Sequence, residues 1–308
     1  MTVVQGLLVC FLLGLWSCNG FLISVQFPDH HRRPFISPTS KTTSALNLAG
    51  PSPVIPPGNP PYLALITEPD ACADTLRAEA TLQTIAKAVS TGKVNLVSIR
   101  LTRPSDDKEY QATLARALLL TQRLVELAEE LHTFRVVCSS DWIELAMQAS
   151  AHGIHVKESH LSKIPSIRQD AWREDLLIGT STHSVDSAKK SYATYRPDYY
   201  FVGTCFLTAS HPEKSIHELE GPMLPGQVRQ ALLEEIAKES NSLPTTTNNN
   251  NINHYYCPII FGIGGIDESN CDGPMVHGAD GVAVIRAILQ APDPAQATLR
   301  IHEKMKLA

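Results

Sequence analysis

The chain has 308 residues, of which 43% are hydrophobic and 19% charged, and this composition is typical of a globular protein with a buried core. The net charge of -5, the pI near 6.2 and the lack of a basic stripe argue against a nucleic-acid-binding protein. The cysteines after residue 50 are scattered and form no CxxC pair, so we expect free thiols, and neither a disulfide framework nor a zinc site.

The first 61 residues are predicted to be a targeting presequence that ends in a linker. Residues 1–20 contain the short apolar run "VVQGLLVCFLLGLW" followed by the small residues of "SCNG", which is typical of a signal peptide. Residues 21–61 have the composition of a transit peptide and end in the Pro/Gly-rich linker "AGPSPVIPPGNPP". The pair resembles the two-part presequence of proteins imported into complex plastids. We therefore expect a plastid location, with secretion as the alternative, and no membrane span in the mature form.

From residue 62 onward, eight apolar runs of strand-like composition alternate with amphipathic helical segments, such as 112–132 and 141–152. The runs cover residues 62–67, 94–101, 134–139, 153–157, 176–181, 198–204, 258–264 and 279–285. This alternation predicts an α/β fold in which residues 62–308 form a single-domain (β/α)8 TIM barrel. The rival, a doubly wound open sheet, usually has fewer strands and a Gly-rich turn after the first. The polar segment 241–256 is predicted to be a low-complexity insertion on the face opposite the active site.

Polar residues follow nearly every predicted strand, at the end of the barrel where active sites of this fold lie. They are Thr67, Arg100, Ser140, Asp141, Lys157, Glu158, Ser181, Thr182, His183 and Thr204. The loops after strands seven and eight, the usual phosphate site, carry Gly264-Gly265 and Arg286. Paired glycines let the backbone approach a ligand closely, and a helix N-terminus attracts an anion. The sequence therefore predicts an anion-binding active site, with the hydroxyl-rich loop "TCFLTASHPEKS" (204–215) as one wall.

Four stretches in this order resemble the thiamine-phosphate synthase/TenI family: "SDWIELAMQASAHGIHV", "IGTSTHS", "YYFVGTCFLT" and "PIIFGIGGI…GADGVAVIRAI". The resemblance covers nearly all of residues 62–305 and implies a (β/α)8 barrel of thiamin biosynthesis. Synthases of this family join an aminopyrimidine methyl diphosphate to a thiazole phosphate and release diphosphate. The implied ligands are small phosphorylated substrates together with Mg²⁺, and electrostatic stabilisation would dominate such dissociative chemistry.

The resemblance also implies roles for individual residues. Asp141 matches the magnesium aspartate and Arg100 the arginine that contacts the diphosphate, while Ser181, Thr182 and His183 match a motif that lines the site. The implied thiazole-phosphate residues are Gly264, Gly265, Val284 and Ile285. In the family's TxTK loop, the matching residues are Thr208, Ser210 and, in place of the lysine, His211. We therefore expect catalytic roles for Arg100, Ser181, His183 and His211, phosphate binding by Thr208 and Ser210, and a metal at Asp141.

The chain departs from the family pattern at several positions that carry charge. The synthase lysine two places after the arginine is Thr102 here, the Gly-Gln pair is Lys157-Glu158, and the second magnesium aspartate is His160. Histidine is a poor ligand for a hard cation that prefers oxygen. The serine at the last phosphate position is Arg286. Lys157 and Lys214 are the candidates to restore the lost positive charge from a new position.

Three functions remain open at this point. The first is a divergent thiamine-phosphate synthase that uses Mg²⁺. The second is a TenI-like thiazole tautomerase, which needs a general acid/base and no metal. Its catalytic histidine position is Thr204 here, and the candidates to replace it are His155, His160, His183 and His211. The third is a non-catalytic binder of thiazole phosphate. The sequence does not decide the oligomeric state.

Overall fold

The computed structural model describes residues 57–208, 212, 215–242 and 257–308. The predicted signal peptide and all but the last five residues of the transit-peptide-like segment and linker lie outside this part of the chain. So do residues 209–211 and 213–214, which include Ser210, His211 and Lys214, and most of the predicted insertion at 241–256. Within the described residues, no helix is both long enough and apolar enough to cross a bilayer.

The eight predicted strands form one closed, parallel barrel, so the predicted (β/α)8 fold is confirmed. Each strand pairs with its neighbours in the chain, and the first pairs with the last, as in the registers Ala64 to Leu96 and Ala64 to Ala283. Closure leaves no edge strand within the barrel. The strands are β1 (Tyr62–Ile66), β2 (Leu96–Ile99), β3 (Arg135–Ser139), β4 (Gly153–Val156), β5 (Leu177–Thr182), β6 (Tyr199–Val202), β7 (Ile259–Ile263) and β8 (Gly281–Val284).

Helices connect the strands on the outside of the barrel. In the described part of the chain they are α1 (Thr75–Val89), α2 (Asp107–Leu131), α3 (Ile143–Gln148), α4 (Ile164–Gln169), α5 (Val185–Tyr195), α6 (Leu224–Ser242), α7 (Asp272–Val276), α8 (Arg286–Leu289) and α9 (Pro294–Lys306). Two 3₁₀ turns, Glu158–Lys163 and Ile216–Glu218, follow β4 and β6. Side-chain N-caps fix the starts of several helices: Asp74, Asp106, Ser184 and Asp293 each accept a backbone N–H of the first turn.

The helix boundaries differ from the predicted ones for local reasons. Helix α2 begins five residues earlier than the apolar periodicity suggested, because the Asp106 carboxylate caps it by accepting the Glu109 N–H at 2.9 Å. Helix α3 is short because Ser150, with φ of 53°, leaves the helical conformation. Helix α6 continues through Ser242 and therefore includes the first two residues of the predicted insertion.

Both faces of the strands are buried, which explains their continuous apolar runs. Alternate residues point outward and pack under the helices, as Leu63 and Leu65 do on β1. The intervening residues of each strand point inward and fill the barrel interior. Large rings dominate this interior, above all those of Tyr199, Phe201 and Phe261. The Phe201 and Phe261 rings meet edge to face at 5.6 Å. This aromatic layer closes the barrel, so a ligand can enter only above it.

The cysteines in the described part of the chain are unpaired, as predicted: Cys72, Cys138, Cys205, Cys257 and Cys271. Burial raises the pKa of each thiol, to about 12 for Cys138 and Cys205. Thiols held protonated in this way are poor nucleophiles and poor metal ligands. The cysteines therefore serve as small core residues, and the candidate chemistry lies with the polar groups at the strand ends.

Candidate active site

A cavity of about 520 Å³ opens at the carboxyl ends of the strands, where the sequence predicted the active site. All eight strands or the loops directly after them contribute to its lining. The predicted site residues that line it are Arg100, Ser181, His183, Thr208, Gly264, Gly265, Val284 and Ile285. Asp141 lies next to the cavity, in contact with the lining residue Lys157. Ser210 and His211 lie outside the described residues.

Arg100 follows β2 and presents a guanidinium to the cavity. Its main chain is fixed to the end of β1: the Arg100 N–H donates to Thr67 Oγ1 at 2.8 Å, and that hydroxyl donates to the Arg100 carbonyl at 2.9 Å. Burial lowers the pKa of Arg100, although arginine keeps its charge at any physiological pH. Among the described residues no carboxylate pairs with this guanidinium. A half-buried cation without a carboxylate partner in the described part of the chain is suited, at a cavity wall, to an anionic ligand.

The loop that carries Asp141 is held by an aromatic stack. Arg103 Nη1 donates to the Asp141 carbonyl oxygen at 2.9 Å, and its guanidinium lies 4.4 Å from the centre of the Tyr110 ring. Tyr110 in turn stacks on Trp142, whose indole N–H donates to the Leu101 carbonyl. Arg103 is therefore engaged outside the cavity and does not replace the cation that the family has at Thr102.

The Asp141 carboxylate is already neutralised by the protein. It forms an ion pair with the Lys157 ammonium on one side, and His160 Nδ1 lies 3.6 Å from Asp141 Oδ1 on the other. Glu158, which adjoins Lys157 in the sequence, is bonded to Ser187 in the first turn of α5. The described residues contain no group of three or more His, Cys, Asp or Glu side chains that could hold a metal ion. One carboxylate paired with an ammonium does not fit Mg²⁺, which prefers several oxygen ligands.

A row of three polar side chains runs from the cavity into the barrel. His155 Nε2 lies 2.9 Å from Ser181 Oγ, and His155 Nδ1 lies 3.1 Å from the Tyr199 hydroxyl. Burial, aided by the charge of Arg100, lowers the pKa of His155 to about 3, so the imidazole is neutral. Burial also raises the pKa of Tyr199 well above its usual value. The row is therefore uncharged, and it orients the Ser181 hydroxyl at the cavity floor.

His183 lies at the rim, between β5 and β6. Its Nδ1 is hydrogen-bonded to the Gly203 carbonyl and lies 3.5 Å from Glu220 Oε1. A carbonyl only accepts, so Nδ1 carries the proton and Nε2 is left as an acceptor. The other oxygen of Glu220 accepts the Thr204 N–H at 2.6 Å, which ties the loop after β6 to the same group. This arrangement gives His183 a fixed tautomer and a carboxylate behind it.

The paired glycines after β7 form the opposite wall. Gly264 and Gly265 have φ of 100° and 64°, a region that favours glycine. The Gly264 carbonyl accepts the Phe206 N–H at 3.0 Å, so this turn packs directly against the loop after β6. Arg286, at the start of α8, lines the cavity and donates to Thr208 Oγ1 at 3.3 Å. Backbone, hydroxyl and guanidinium thus face the same space, as an oxyanion ligand requires.

Several features of the site were missing from the expectations drawn from the sequence. His155 was only one of four candidate histidines, and its place within an apolar strand gave no sign of the Ser181–Tyr199 row. Phe201 lines the cavity floor and stacks on His155 at 4.5 Å. Glu220 lies beyond the strand ends in sequence, and no local motif marks it. Only the period of two along β4 indicated that His155 faces the cavity, because it puts this residue on the same face as the cavity-lining Lys157.

Comparison with known proteins places this site in a known family. The sequence model described as "Thiamine monophosphate synthase" matches residues 63–288. A thiamine-phosphate synthase of Haloarcula marismortui is 30% identical over 222 residues, which cover 72% of this chain and 88% of that protein. A thiamine-phosphate synthase of a Mycobacterium species is 28% identical over 235 residues, with 76% and 90% covered.

Solved structures agree at the level of the fold. The thiamine phosphate pyrophosphorylase of Pyrococcus furiosus superposes with a TM-score of 0.56 at 17% identity, and the match covers 80% of this chain and 96% of that one. The barrel, the order of the motifs around it and the sequence match over residues 63–288 lead to one conclusion. The chain belongs to the thiamine monophosphate synthase family.

Proposed function

We propose that the chain is a synthase of this family, which joins an aminopyrimidine methyl diphosphate to a thiazole phosphate and releases diphosphate. One observation carries the proposal: a single cavity has cationic, anion-binding groups on two opposite sides. Arg100 and Lys157 lie at the ends of β2 and β4, whereas Gly264, Gly265 and Arg286 lie at the ends of β7 and β8. A reaction between two phosphorylated substrates needs two such regions.

The groups between the two regions suit the chemistry. The row of Ser181, His155 and Tyr199 is uncharged, so it offers hydrogen bonds to a heterocycle without adding a competing ion. The buried rings below it exclude water from the floor of the cavity. Departure of diphosphate is favoured by fixed positive charge on its side of the cavity. Positioning and electrostatics, with no covalent step on the protein, are what this site supplies.

The test is product formation by the full chain. The two substrates are incubated with the protein, and thiamin phosphate and diphosphate are measured by mass spectrometry. We expect product, and a fall of about tenfold or more in kcat for Ser181→Ala because the hydroxyl facing the substrates is lost. Ser166→Ala, an exposed serine on α4, is the matched control and should leave kcat unchanged. Absence of product together with tight binding of thiazole phosphate would reject the synthase and point to a non-catalytic binder.

One observation favours a tautomerase as the second candidate. His183 lines the cavity with a fixed tautomer and Glu220 behind it, which is the arrangement of a general acid/base. The position where tautomerases of the family have their histidine is Thr204, which cannot take that role at neutral pH. A tautomerase assay on a non-aromatic thiazole phosphate separates the two functions. Turnover there that disappears in His183→Gln, with no thiamin phosphate from the first assay, would establish the tautomerase.

For the location of the protein we propose import into a plastid. Support comes from the apolar, signal-like residues 1–20 and the Ser/Thr/Pro-rich, acid-poor residues that follow. Fusion of residues 1–61 to a fluorescent protein tests this in a cell with a complex plastid. Fluorescence in the plastid is expected, while fluorescence in the medium would support the secretory alternative.

A further inference from the structure

The ion pair between Lys157 and Asp141 joins two neighbouring strands at the cavity mouth. Asp141 follows β3, Lys157 follows β4, and the strands pair in the register Ser139 to His155. The Lys157 N–H lies 3.4 Å from Ser140 Oγ, so the main chain of Lys157 is also close to the Asp141 loop. The ammonium therefore reaches the carboxylate from a fixed position on the barrel and not from a long loop.

This ion pair occupies the place where a bound cation would have to be. The Asp141 carboxylate is 20% exposed, and its one negative charge is balanced by one ammonium. A divalent ion that approached the same carboxylate would meet the repulsion of the ammonium and would find His160 as the next side chain. Ligand number and ligand charge set the affinity of a hard cation, and both are low here.

The same ammonium can also contact a ligand. Lys157 lines the cavity, and its side chain is 53% exposed, so it is not enclosed by its carboxylate partner. An ammonium has three N–H donors, and one bond to Asp141 leaves two for another acceptor. Arg100 lines the same cavity and has no carboxylate partner among the described residues. A diphosphate held between these two cations would have charge-assisted bonds from both.

We propose that Lys157 permanently supplies the positive charge that a metal ion would otherwise bring to Asp141, so that this site binds the diphosphate group without Mg²⁺. The inference rests on the proposed function, because it assigns the group bound at Arg100 and Lys157 as a diphosphate. Asp141 is then a positioning residue for the ammonium and not a metal ligand. The cation is built into the fold in place of being recruited from solution.

The test uses the full chain and inorganic pyrophosphate, with binding measured by calorimetry in EDTA and in millimolar Mg²⁺. We expect dissociation constants that differ by less than about threefold in the wild type. Lys157→Ala should weaken binding in EDTA by about tenfold or more, because a charge-assisted hydrogen bond is lost. Lys157→Arg keeps the charge and should retain most of the affinity. Lys163→Ala, at the end of the 3₁₀ turn that follows Lys157 and outside the cavity lining, is the matched control.

A second measurement follows the metal itself. Mn²⁺ titrated into the wild type in the presence of pyrophosphate should give no protein-bound signal by electron paramagnetic resonance. Lys157→Ala frees the Asp141 carboxylate and should gain such a signal, which Asp141→Asn in the same background should remove. Pyrophosphate binding that requires Mg²⁺ in the wild type, or a Lys157→Ala protein that binds as tightly in EDTA, would overturn the proposal. Circular dichroism of each variant verifies that it is folded.

The outcomes are separable from those of the function itself. Metal-free pyrophosphate binding that depends on Lys157, without any thiamin phosphate formed, would retain this inference and reject the synthase. Thiamin phosphate formation that stops in EDTA and returns with Mg²⁺ would retain the synthase and reject this inference. Product formation that persists in EDTA would support both.

Discussion

Acidification should destabilise the barrel through its buried histidines, above all His152 and His155. His152 and His155 are 1% and 9% exposed, and burial lowers their pKa values to about 4 and about 3. His152 Nδ1 accepts the Val136 backbone N–H at 3.1 Å, a bond that a protonated ring cannot keep. His155 Nδ1 and Nε2 are both engaged, with Tyr199 and Ser181. Each imidazole is therefore held neutral by the fold.

The size of the effect follows from linkage. The unfolded chain binds both protons near the ordinary pKa of 6.5, whereas the folded protein resists them until about pH 4 and 3. Above pH 6.5 these two histidines therefore do not lower the free energy of unfolding. Below that pH the free energy of unfolding decreases as the pH falls. At pH 5 the free energy of unfolding is lower by about 2 kcal/mol for each histidine, because each pH unit below 6.5 removes about 1.4 kcal/mol. The two histidines together lower the free energy of unfolding by about 4 kcal/mol, which is a large share of the 5–15 kcal/mol that is usual for a folded domain.

Urea unfolding at pH 7 and pH 5, followed by circular dichroism, measures this difference. His152→Gln and His155→Gln should each remove about 2 kcal/mol of the pH dependence, because glutamine does not titrate. Burial also lowers the pKa of His302, so a smaller dependence should remain in the double variant. His277→Gln, an exposed histidine at the end of α7, is the control and should keep all of it. Carboxylates contribute little over this interval because their ordinary pKa values lie near 4. An unfolding free energy that is equal at both pH values would refute the reasoning.

Two further predictions concern the two sides of the cavity. Gly265→Ala should weaken thiazole-phosphate binding by about tenfold or more, because its Cβ would collide with the Leu207 carbonyl oxygen, and calorimetry measures this. Gly221→Ala has a similar positive φ of 82° but open space around the Cβ, so it separates strain from collision and should bind normally. Arg100→Ala should weaken pyrophosphate binding by about tenfold or more, whereas Arg123→Ala, on the exposed face of α2, should not; equal losses in the two variants would contradict a local role for Arg100.

The barrel could be predicted from the sequence because strand burial leaves a periodic record. Strands buried on both faces produce eight separate apolar runs, and helices between them show a different period. The predicted runs were mostly one to three residues longer than the strands. After β2 and β6 the extra residues include Arg100 and Thr204, which leave the sheet to form the cavity mouth. At these carboxyl ends the extra residues therefore lie where backbone pairing ends and the site begins.

The site was less predictable, because the spacing of residues does not show which groups their side chains pair with. The sequence places Asp141 and Lys157 at the ends of two predicted strands, yet only the structure shows their ion pair. Arg103 illustrates the opposite outcome. It adjoins the position of a missing cation, but the Tyr110 ring and the Asp141 carbonyl hold its guanidinium outside the cavity. In both cases the position of the cation is determined by a partner group, and that partner comes from an element distant in the sequence.

The departures from the family pattern form a consistent exchange of positive charge. Lysines of the pattern are absent at Thr102 and His211, while Lys157 and Arg286 replace a glycine and a serine. The number of cations is thus unchanged, but the new ones follow β4 and β8, where the barrel fixes their main chain. A cation on a rigid strand end loses less conformational entropy on binding a phosphate than one on a loop.

The two replacement cations lie at different walls of the cavity. Lys157 serves the side of Arg100, and Arg286, bonded to Thr208, serves the side of the paired glycines. Both anion-binding regions therefore carry a cation in this chain, although two lysines of the family pattern are absent. A chain that had lost the need to bind two phosphates would have no reason to restore cations on both sides. The distribution of charge, more than any single matched motif, argues that this barrel still binds two phosphorylated ligands at once.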